Sequence, residues 1–432
     1  MKKRLLLASL SAAAFGGILS VSAADTPVYT LDQVVVTAAR TEEKQIDTNA
    51  SVSVVTSKQI AQKHFNDVSE ALRAVPGVVL GNYSASGQNY SSNKVFINGS
   101  SNVVILVDGM RRNTNGVSGS AVNLGTLTDM ASIERIEVLK GSASTLYGSD
   151  AQGGVINIIT DDSRNKVSVT SNSRYGSKNQ FLQSVNADVN VGKFGSYTSY
   201  QYQRADGWQL NPYTESKGEL VPTNKQASEG FHRNVINQRF TYDATDRLSF
   251  YVRGTFFGRS SDRPMPMDKV NTTNYDMRKE TFTYGAGAQY MINKNSYLNA
   301  DYLSDNHSTY KDFFDGKKSG ESDMTKRIHY HNLNVKGIFR LGKYNKLSAG
   351  AEFIKELLSS ETDNITGKSM YTTALYAQDE ININEHFQAY AGLRYIYHEN
   401  FKSYATPNVA LLYKVGGFNF RGSYAAGFRT PE

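Results

Sequence analysis

Apolar and polar residues follow two different patterns along this chain, and the change falls near residue 165. Before it, Ser51–Thr56 alternates like a short strand, and Ser57–Arg73 carries apolar residues at helical spacing until Pro76–Gly77 stops the element. Short apolar segments, separated by Asp-Gly or Gly-Gly pairs typical of turns, follow at 103–107, 133–139 and 155–159. This part of the chain is therefore predicted to form a small α+β domain.

From about residue 166 onward, apolar and polar residues alternate one by one. Within 248–253 the apolar residues point to one face, and Ser249, Tyr251 and Arg253 point to the other. The segment 387–395 alternates in the same way. Each such segment runs for roughly 10 to 14 residues, which is the length that a tilted membrane strand needs. A soluble β-sandwich also alternates, but this strand length favours a membrane barrel.

The connections between these strands give a second indication of a barrel. Alternation and breaker residues delimit about 13 strands between 166 and 428. Short turns lie near 192–195, 243–246, 293–295, 342–345, 383–385 and 415–417, and long polar segments lie near 207–230, 259–278, 307–325 and 359–368. A short turn always separates two long segments, as in an outer-membrane barrel with tight periplasmic turns and long external loops. Because bacterial barrels have even strand counts, we expect further strands to complete this one.

Composition and the first residues narrow the class of protein. The chain of 432 residues has no Cys, which excludes disulfides, thiolate metal sites and a Cys nucleophile. Lys2, Lys3 and Arg4 precede an apolar run that ends near Ala23, so residues 1–23 are predicted to be a cleaved signal peptide. The net charge of +7 includes those three cations, and the remaining small excess does not indicate a nucleic-acid partner. We therefore expect an exported bacterial envelope protein.

Several motifs carry a resemblance to a known family. They are the segments Asp32-Gln33-Val34-Val35-Val36-Thr37-Ala38, Ser69–Val78 (SEALRAVPGV), Val104–Arg111 (VILVDGMR), Ile133–Gly141 (IERIEVLKG), Leu146–Thr160 (LYGSDAQGGVINIIT) and Gly427–Pro431 (GFRTP). With them the chain resembles the TonB-dependent outer-membrane receptors of the siderophore, haem or cobalamin type. Ile97-Asn98-Gly99 departs from the family's usual Ile-Arg-Gly, and Asp161 stands where a basic residue is usual.

The resemblance implies a mainly β fold with two parts. An N-terminal α+β plug domain at 49–162 would be followed by a transmembrane antiparallel β-barrel at 163–432. The family's barrel has 22 strands, so about 13 of them would be present and the chain would be truncated at its C-terminal end. The expected location is the cell outer membrane, with membrane lipid around the barrel.

The TonB-box segment is expected at 24–48. The box itself comprises Asp32, Gln33, Val34, Val35, Val36, Thr37 and Ala38. Its β-branched residues favour an extended backbone, and an extended segment can add a strand to the sheet edge of a partner protein. An ordinary first strand of the plug domain would have a similar composition. The resemblance implies that the partner is the TonB energy-coupling complex.

Two polar loops of the plug domain are the candidate substrate-binding elements. The candidate residues are Tyr83, Ser84, Ser86 and Gln88 in the first loop, and Arg111, Arg112, Asn113, Asn115, Val117 and Ser118 in the second. The second loop resembles the cobalamin transporter's plug, where a similar Gly-Val-Ser-Gly-Ser-Ala stretch contacts ligand. Arginines in the same loop also suit an anionic ferric chelate. A plain surface loop is the alternative for any one of these residues.

Charged and glycine residues elsewhere in the plug domain have structural interpretations. Arg135 and Glu137 lie two residues apart on one strand and therefore on one face, and we expect them to form ion pairs between plug and barrel. Gly148, Gly153 and Gly154 suit tight turns, since the Gly-Lys-Ser sequence of a phosphate-binding loop is missing there.

No resident metal, cofactor or catalytic group is expected. His329 and His331 share a strand face, but no third ligand lies nearby in sequence, so haem ligation is a minor alternative. Loop carboxylates such as Asp262 and Asp312 lack the spacing of an EF-hand. Neither a Ser/His/Asp set nor a paired-acid set stands out, which disfavours an outer-membrane enzyme.

The function expected from these observations is active import. The chain would bind a scarce metal chelate, with an iron siderophore or haem as the first choice, and would pass it to a periplasmic binding protein. A cobalamin (corrinoid) importer and a non-transporting surface receptor remain the alternatives.

Overall fold

The computed structural model describes residues 34–35, 43–44, 51–81, 94–112, 124, 127–148, 151–160, 167–207, 213–222, 230–266, 272–313, 323–361, 364–416 and 418–427. All of them belong to one compact unit, Val34–Glu432. No helix within these ranges is long and apolar enough to cross a membrane.

The plug domain contains short strands and three short helices. Its elements are β3 (Ser51–Thr56), α1 (Ser57–Lys63), α2 (Val68–Arg73), β4 (Val78–Gly81), β5 (Lys94–Ile97), β6 (Val103–Val107), β7 (Met110–Arg111), β8 (Ile133–Lys140), α3 (Ser144–Tyr147) and β9 (Gly154–Thr160), with a 3-10 helix at Met130–Ser132. Before them, β1 (Val34–Val35) pairs with β2 (Glu43–Lys44). The main sheet has the order β3-β8-β9-β6-β7, and only β6 and β9 run parallel among the described strands.

The predicted single helical stretch at 57–73 is two helices, so that expectation was wrong. Helix α1 begins with a capping box between Thr56 and Gln59 and ends at His64, which adopts a left-handed conformation. Asp67 then starts α2, because its side chain accepts a hydrogen bond from the Glu70 amide. The break follows from these caps, which outweigh the continuous helical spacing of the apolar residues.

Apolar side chains of α1, α2 and the sheet form the core of the plug domain. The interior strand β6 is buried along its whole length. Ile60 and Leu72 from the helices pack in the same cluster as Ile105, Ile136 and Ile156 from the sheet. This cluster holds together the small domain from which the polar loops extend.

Thirteen of the remaining described strands form one large antiparallel sheet. They are β10 (Val167–Gly176), β11 (Gln180–Val191), β12 (Phe194–Ala205), β15 (Phe231–Thr245), β16 (Leu248–Pro266), β17 (Thr272–Asn293), β18 (Ser296–Phe313), β19 (Asp323–Leu341), β20 (Asn345–Ser360), β21 (Ile365–Asn382), β22 (Phe387–His398), β23 (Lys402–Val415) and β24 (Phe418–Ala425). Each strand pairs with the next along this order. The chain between β12 and β15 forms a separate hairpin of β13 (Tyr213–Ser216) and β14 (Glu219–Pro222). The predicted strand count and the short turns are confirmed.

Several strands are longer than predicted. Strand β17 has 22 residues, and β16 and β19 have 19 each. The polar segment 259–278, expected to be a long loop, is mostly strand, because the ladder between β16 and β17 continues from Leu248 out to Pro266. Backbone hydrogen bonds between neighbouring strands do not require apolar side chains, so the loss of alternation did not mark the strand ends.

The large sheet places its apolar residues outward and its polar residues toward the plug domain. Phe250 and Val252 are 43% and 56% exposed, whereas the next residue, Arg253, reaches the plug domain. On β22, Leu393 is 54% exposed and its neighbour Arg394 is 2% exposed. This distribution of apolar and polar residues is the reverse of that in a soluble β-protein. It is the distribution that a lipid-facing barrel wall requires.

Aromatic residues lie toward both ends of this outward face, as in the interfacial girdles of membrane barrels. Close to the short turns, the rings of Phe387 and Tyr413 stack with their centroids 4.4 Å apart. Toward the other end, the rings of Phe282 and Tyr284 lie 5.6 Å apart. Exposed aliphatic residues such as Leu375 and Leu393 lie between these two zones, which suits a surface that meets hydrocarbon in the middle and head groups at both edges.

A charge placed in the middle of the outward face should destabilise the protein strongly. Leu375 is 63% exposed and faces outward on β21, so Leu375→Arg is expected to lower the free energy of unfolding in lipid by about 2–4 kcal/mol. The matched control is Leu341→Arg at the end of β19, beside a short turn, where about 0–1 kcal/mol is expected. Urea unfolding from vesicles measures both variants, and equal losses would contradict the assignment of this face to lipid.

Candidate functional site

The tip of the plug domain is joined to the large sheet by a buried ion pair. Arg112 follows β7, and its Nε donates to Asp305 Oδ2 on β18 over 2.9 Å, with both side chains at most 3% exposed. Arg112 Nη2 also donates to the Thr283 hydroxyl at 2.9 Å, and Thr283 in turn donates to Asp305 Oδ1 at 2.7 Å. His307 Nε2 lies 3.2 Å from Asp305 Oδ2. This network fixes the start of the second candidate loop against β17 and β18.

A second junction is built on the Asp-Gly turn between β6 and β7. Asp108 has a positive φ of 51°, and its carboxylate accepts hydrogen bonds from both the backbone amide and the hydroxyl of Thr160, each at 2.8 Å. The same carboxylate pairs with Arg253 on β16. One side chain therefore ties together the central turn of the plug domain, the end of β9 and the large sheet.

Other junctions extend around the plug domain. Asp129, before the 3-10 helix, accepts from Ser199 on β12 and from Asn237 on β15. On the opposite side, Arg394 pairs with Glu352 and donates to the backbone carbonyl of Leu146 in α3 at 3.2 Å. The hydroxyl of Thr145 donates to the carbonyl of residue 406 at 3.1 Å, which adds a contact with β23.

The close fit at α3 depends on glycine. Gly148 has a φ of 81°, and a Cβ there would lie 3.2 Å from the Arg394 guanidinium. This agrees with the expectation that Gly148 serves backbone geometry. Since the polar contacts reach from β10, where Arg174 donates to the His64 carbonyl, to β23, the large sheet curves around the plug domain.

A small cavity remains between the plug domain and the large sheet. Its volume is about 40 Å³, which is room for a few water molecules. Asp108, Arg112 and Arg253 line it together with Asn237 and Arg239. The two ion pairs described above therefore lie at the edge of a space that water can occupy.

A row of cations faces inward beyond the plug helices. Arg233, Arg259 and Lys279 are direct register partners on the neighbouring strands β15, β16 and β17. Arg233 is 6% exposed and donates to the backbone carbonyl of Asn66 at 3.2 Å, and the Arg259 guanidinium lies 4.7 Å from the centre of the Phe231 ring. Like charges placed directly opposite each other repel, and the charges of Asp67, Asp129 and Glu70 act on Arg233 and partly offset those of the row.

Within the predicted TonB box, Val34 and Val35 form the two residues of β1 and pair with Lys44 and Glu43 of β2. Asp32, Gln33, Val36, Thr37 and Ala38 lie outside the described residues, as do the candidate loop residues Tyr83, Ser84, Ser86, Gln88, Asn113, Asn115, Val117 and Ser118. Arg111 and Arg112 are described, and they are 7% and 4% exposed. Arg112 pairs with Asp305 and thereby anchors the start of the loop, and its predicted contact with ligand stays a prediction.

Arg135 and Glu137 share one face of β8, as their spacing predicts. Arg135 Nε donates to Glu137 Oε1 at 2.8 Å, and Arg135 Nη1 donates to Glu134 at the same distance. These ion pairs lie within the strand and neutralise Glu137, which is fully buried. The predicted ion pairs of Arg135 and Glu137 with the barrel stay a prediction.

The histidine pair on β19 has polar neighbours. The Nδ1 of His329 contacts the Asn306 side chain, and the Nδ1 of His331 lies 3.0 Å from the Tyr302 hydroxyl. Among the residues that the structure describes, no group of three or more His, Cys, Asp or Glu side chains is placed to hold a metal ion.

Sequence reasoning missed the sheet residues of these junctions. In the sequence these residues were visible only as polar members of alternating strands; they are Asp305, Arg253, Asn237, Glu352 and Arg394. The available signal was a charged residue at an inward position in the middle of a strand, because a charge there needs a partner from another element.

Comparison with known proteins agrees with this architecture. The TonB-dependent receptor plug domain family matches residues 44–155, and the TonB-dependent receptor-like β-barrel family matches residues 139–432. The vitamin B12 transporter BtuB of Vibrio vulnificus (strain CMCP6) is 27% identical over 425 residues, covering 94% of this chain and 64% of that protein. The chain thus spans just under two thirds of the length of this curated relative.

Solved structures show the same fold. A mutant of the ferric enterobactin receptor PfeA from Pseudomonas aeruginosa superposes with a TM-score of 0.74 at 19% identity, covering 92% of this chain and 64% of that one. The ferripyoverdine receptor of the outer membrane of Pseudomonas aeruginosa, bound to ferripyoverdine, gives a TM-score of 0.72 at 16% identity, with 93% and 60% covered.

Proposed function

Because the chain belongs to the TonB-dependent receptor family, a family of transporters and receptors, we propose that it binds a scarce metal chelate and imports it actively across the outer membrane. The observation that carries this proposal is the plug domain held inside the curved large sheet by polar contacts. Substrate that passes through the sheet interior must break some of these contacts. Buried ion pairs cost several kcal/mol to break, so import needs work from outside the receptor.

That work would come from the TonB complex acting on residues 32–38. The strand β1 has only two residues and one described partner strand, β2. A two-stranded ribbon of this size is marginal in water, so its edge is readily exchanged for the sheet edge of a partner. Pulling on this segment would act on the plug domain through the chain that leads to β3.

The substrate would be an anionic iron chelate, a siderophore or haem. The inward row of Arg233, Arg259 and Lys279 supports this class, because cations on a low-dielectric wall attract anions. A solved relative is a ferric enterobactin receptor and another holds ferripyoverdine. Cobalamin is the second candidate, since a relative 27% identical to this chain is a vitamin B12 transporter.

The remaining parts of the proposal concern location and route. Residues 1–23 would direct export and be removed, and the large sheet would lie in the outer membrane with its short turns toward the periplasm. A periplasmic binding protein would receive the substrate. The protein would carry out no covalent chemistry, so no enzyme activity is proposed.

Uptake by whole cells tests the proposal. The receptor that contains this chain is produced in a bacterial strain without its own siderophore, haem and cobalamin receptors. We expect accumulation of radioiron from ferric enterobactin or haem in cells with TonB and none above background in cells without it. Uptake of labelled cyanocobalamin alone would select the second candidate. Accumulation that does not depend on TonB would refute active import.

A further inference from the structure

His307 lies beside the buried ion pair of Arg112 and Asp305, and it belongs to the large sheet. Asp305 and His307 are two residues apart on β18, so their side chains share its inward face. The Nε2 of His307 lies 3.2 Å from Asp305 Oδ2, the same oxygen that accepts from Arg112 Nε at 2.9 Å. One carboxylate oxygen therefore has two nitrogen partners, and of these two only Arg112 moves with the plug domain.

The His307 ring is held in place from its other side. Its Nδ1 lies 3.0 Å from the hydroxyl of Thr281, which is the register partner of His307 on β17. A hydroxyl can donate to Nδ1, whereas an ionised carboxylate only accepts, so the ring hydrogen belongs on Nε2 and points to Asp305. Both of these partners are in the large sheet, so the ring keeps its orientation when the plug domain moves.

The Asp305 carboxylate is enclosed at the moment when Arg112 begins to separate from it. The Asp305 side chain is 1% exposed, and a buried carboxylate without partners is costly. Thr283 donates to Oδ1 at 2.7 Å, so with His307 at Oδ2 the large sheet supplies a donor to each oxygen. The His307 contact stabilises the separated state more than the paired state, because Arg112 already satisfies Oδ2 in the paired state.

We infer that His307 is a positioning residue for movement of the plug domain. It holds the Asp305 carboxylate when Arg112 separates, and this lowers the barrier to the separation. In this role His307 acts through Asp305. The inference rests on the proposed import function for its biological consequence, since separation of Arg112 matters to the cell when the plug domain moves during transport.

A double-mutant cycle tests the inference in the purified receptor. His307→Leu is introduced into the wild type and into Arg112→Met, in which Asp305 has already lost its cation, and unfolding in urea from vesicles is measured. The factor by which His307→Leu raises the unfolding equilibrium constant should be at least about fivefold larger in Arg112→Met than in the wild type. Equal factors in the two backgrounds would overturn the inference.

The matched control is His331→Leu. It removes a histidine whose Nδ1 lies 3.0 Å from the Tyr302 hydroxyl, on the outward face of β19. This change should raise the unfolding equilibrium constant by the same factor with and without Arg112.

Hydrogen exchange in the single variant gives a result of opposite sign for a purely structural histidine. In His307→Leu the amide of residue 112, which donates to the Ile105 carbonyl at 2.9 Å, should exchange at least about threefold more slowly than in the wild type. A histidine that merely stabilises the paired state would give faster exchange on removal, and that outcome would overturn the inference. His307→Gln should restore wild-type exchange, because its amide can still donate to Asp305.

Uptake by energised cells measures the consequence for transport. The maximum rate of ferric enterobactin uptake should fall at least about threefold in His307→Leu while binding to energy-depleted cells is unchanged. An unchanged maximum rate would overturn the role of His307 in plug movement. The unfolding and exchange measurements contain neither substrate nor TonB, so a failure of the proposed import function would leave their expected results intact.

Discussion

Replacement of Val36 by Pro is expected to abolish TonB-dependent uptake while substrate binding at the cell surface persists. Strand addition to a partner sheet uses backbone N–H donors, and proline has none. Loss of one or two such bonds, at about 0.5–1.5 kcal/mol each, weakens the pairing with TonB by a factor of roughly 2 to 150. Val34 and Val35 form the strand β1, so the substitution falls at the residue directly after this strand.

Two measurements separate coupling from binding. Energy-depleted cells report binding of ferric enterobactin, which should be unchanged in the Val36→Pro variant, and energised cells report its uptake. Val36→Thr is the matched control, because it keeps the amide and the β-branched shape and should retain nearly normal uptake. Normal uptake by the proline variant would show that residues 32–38 are not the segment that couples to TonB.

Removal of the Arg112 guanidinium should loosen the plug domain more than other single changes in the interface. In Arg112→Met the Asp305 carboxylate stays buried at 0% exposure and loses its main cation. Breaking one side of a buried ion pair costs about 3–5 kcal/mol. We expect the free energy of unfolding in urea to fall by this amount, and hydrogen exchange to accelerate at the amide of residue 112, which donates to the Ile105 carbonyl at 2.9 Å.

A second substitution tests the physical cause. Arg112→Met/Asp305→Leu removes both charges, and replacing a buried pair by apolar residues is often neutral, so most of the lost stability should return. Lys294→Met, beside a short turn, is the control for loss of one cation and should stay within about 0.5 kcal/mol of the wild type. A double variant as unstable as the single one would show that the loss does not arise from the unpaired carboxylate.

The strands could be predicted from the sequence, whereas the ion-pair partner of Arg112 could not. The alternation at 248–253 predicted which residues share a face, and alternation with breaker residues predicted about 13 strands; both are present in the structure. The same sequence predicted a substrate contact for Arg112, because an arginine in a polar loop suits an anionic chelate. Its partner, Asp305, lies 193 residues further along the chain.

The sequence by itself determined the two-part organisation, the 13 strands, their faces and their short turns. These features depend on side-chain period and turn residues, which act over a few neighbouring positions. Only the tertiary structure decided which inward polar residues meet, because Arg112 with Asp305, Asp108 with Arg253 and Arg394 with Leu146 depend on sheet register and curvature. It also decided where strands continue past their apolar zone and where the helical stretch breaks, since ladder bonds and caps outweigh the local pattern there.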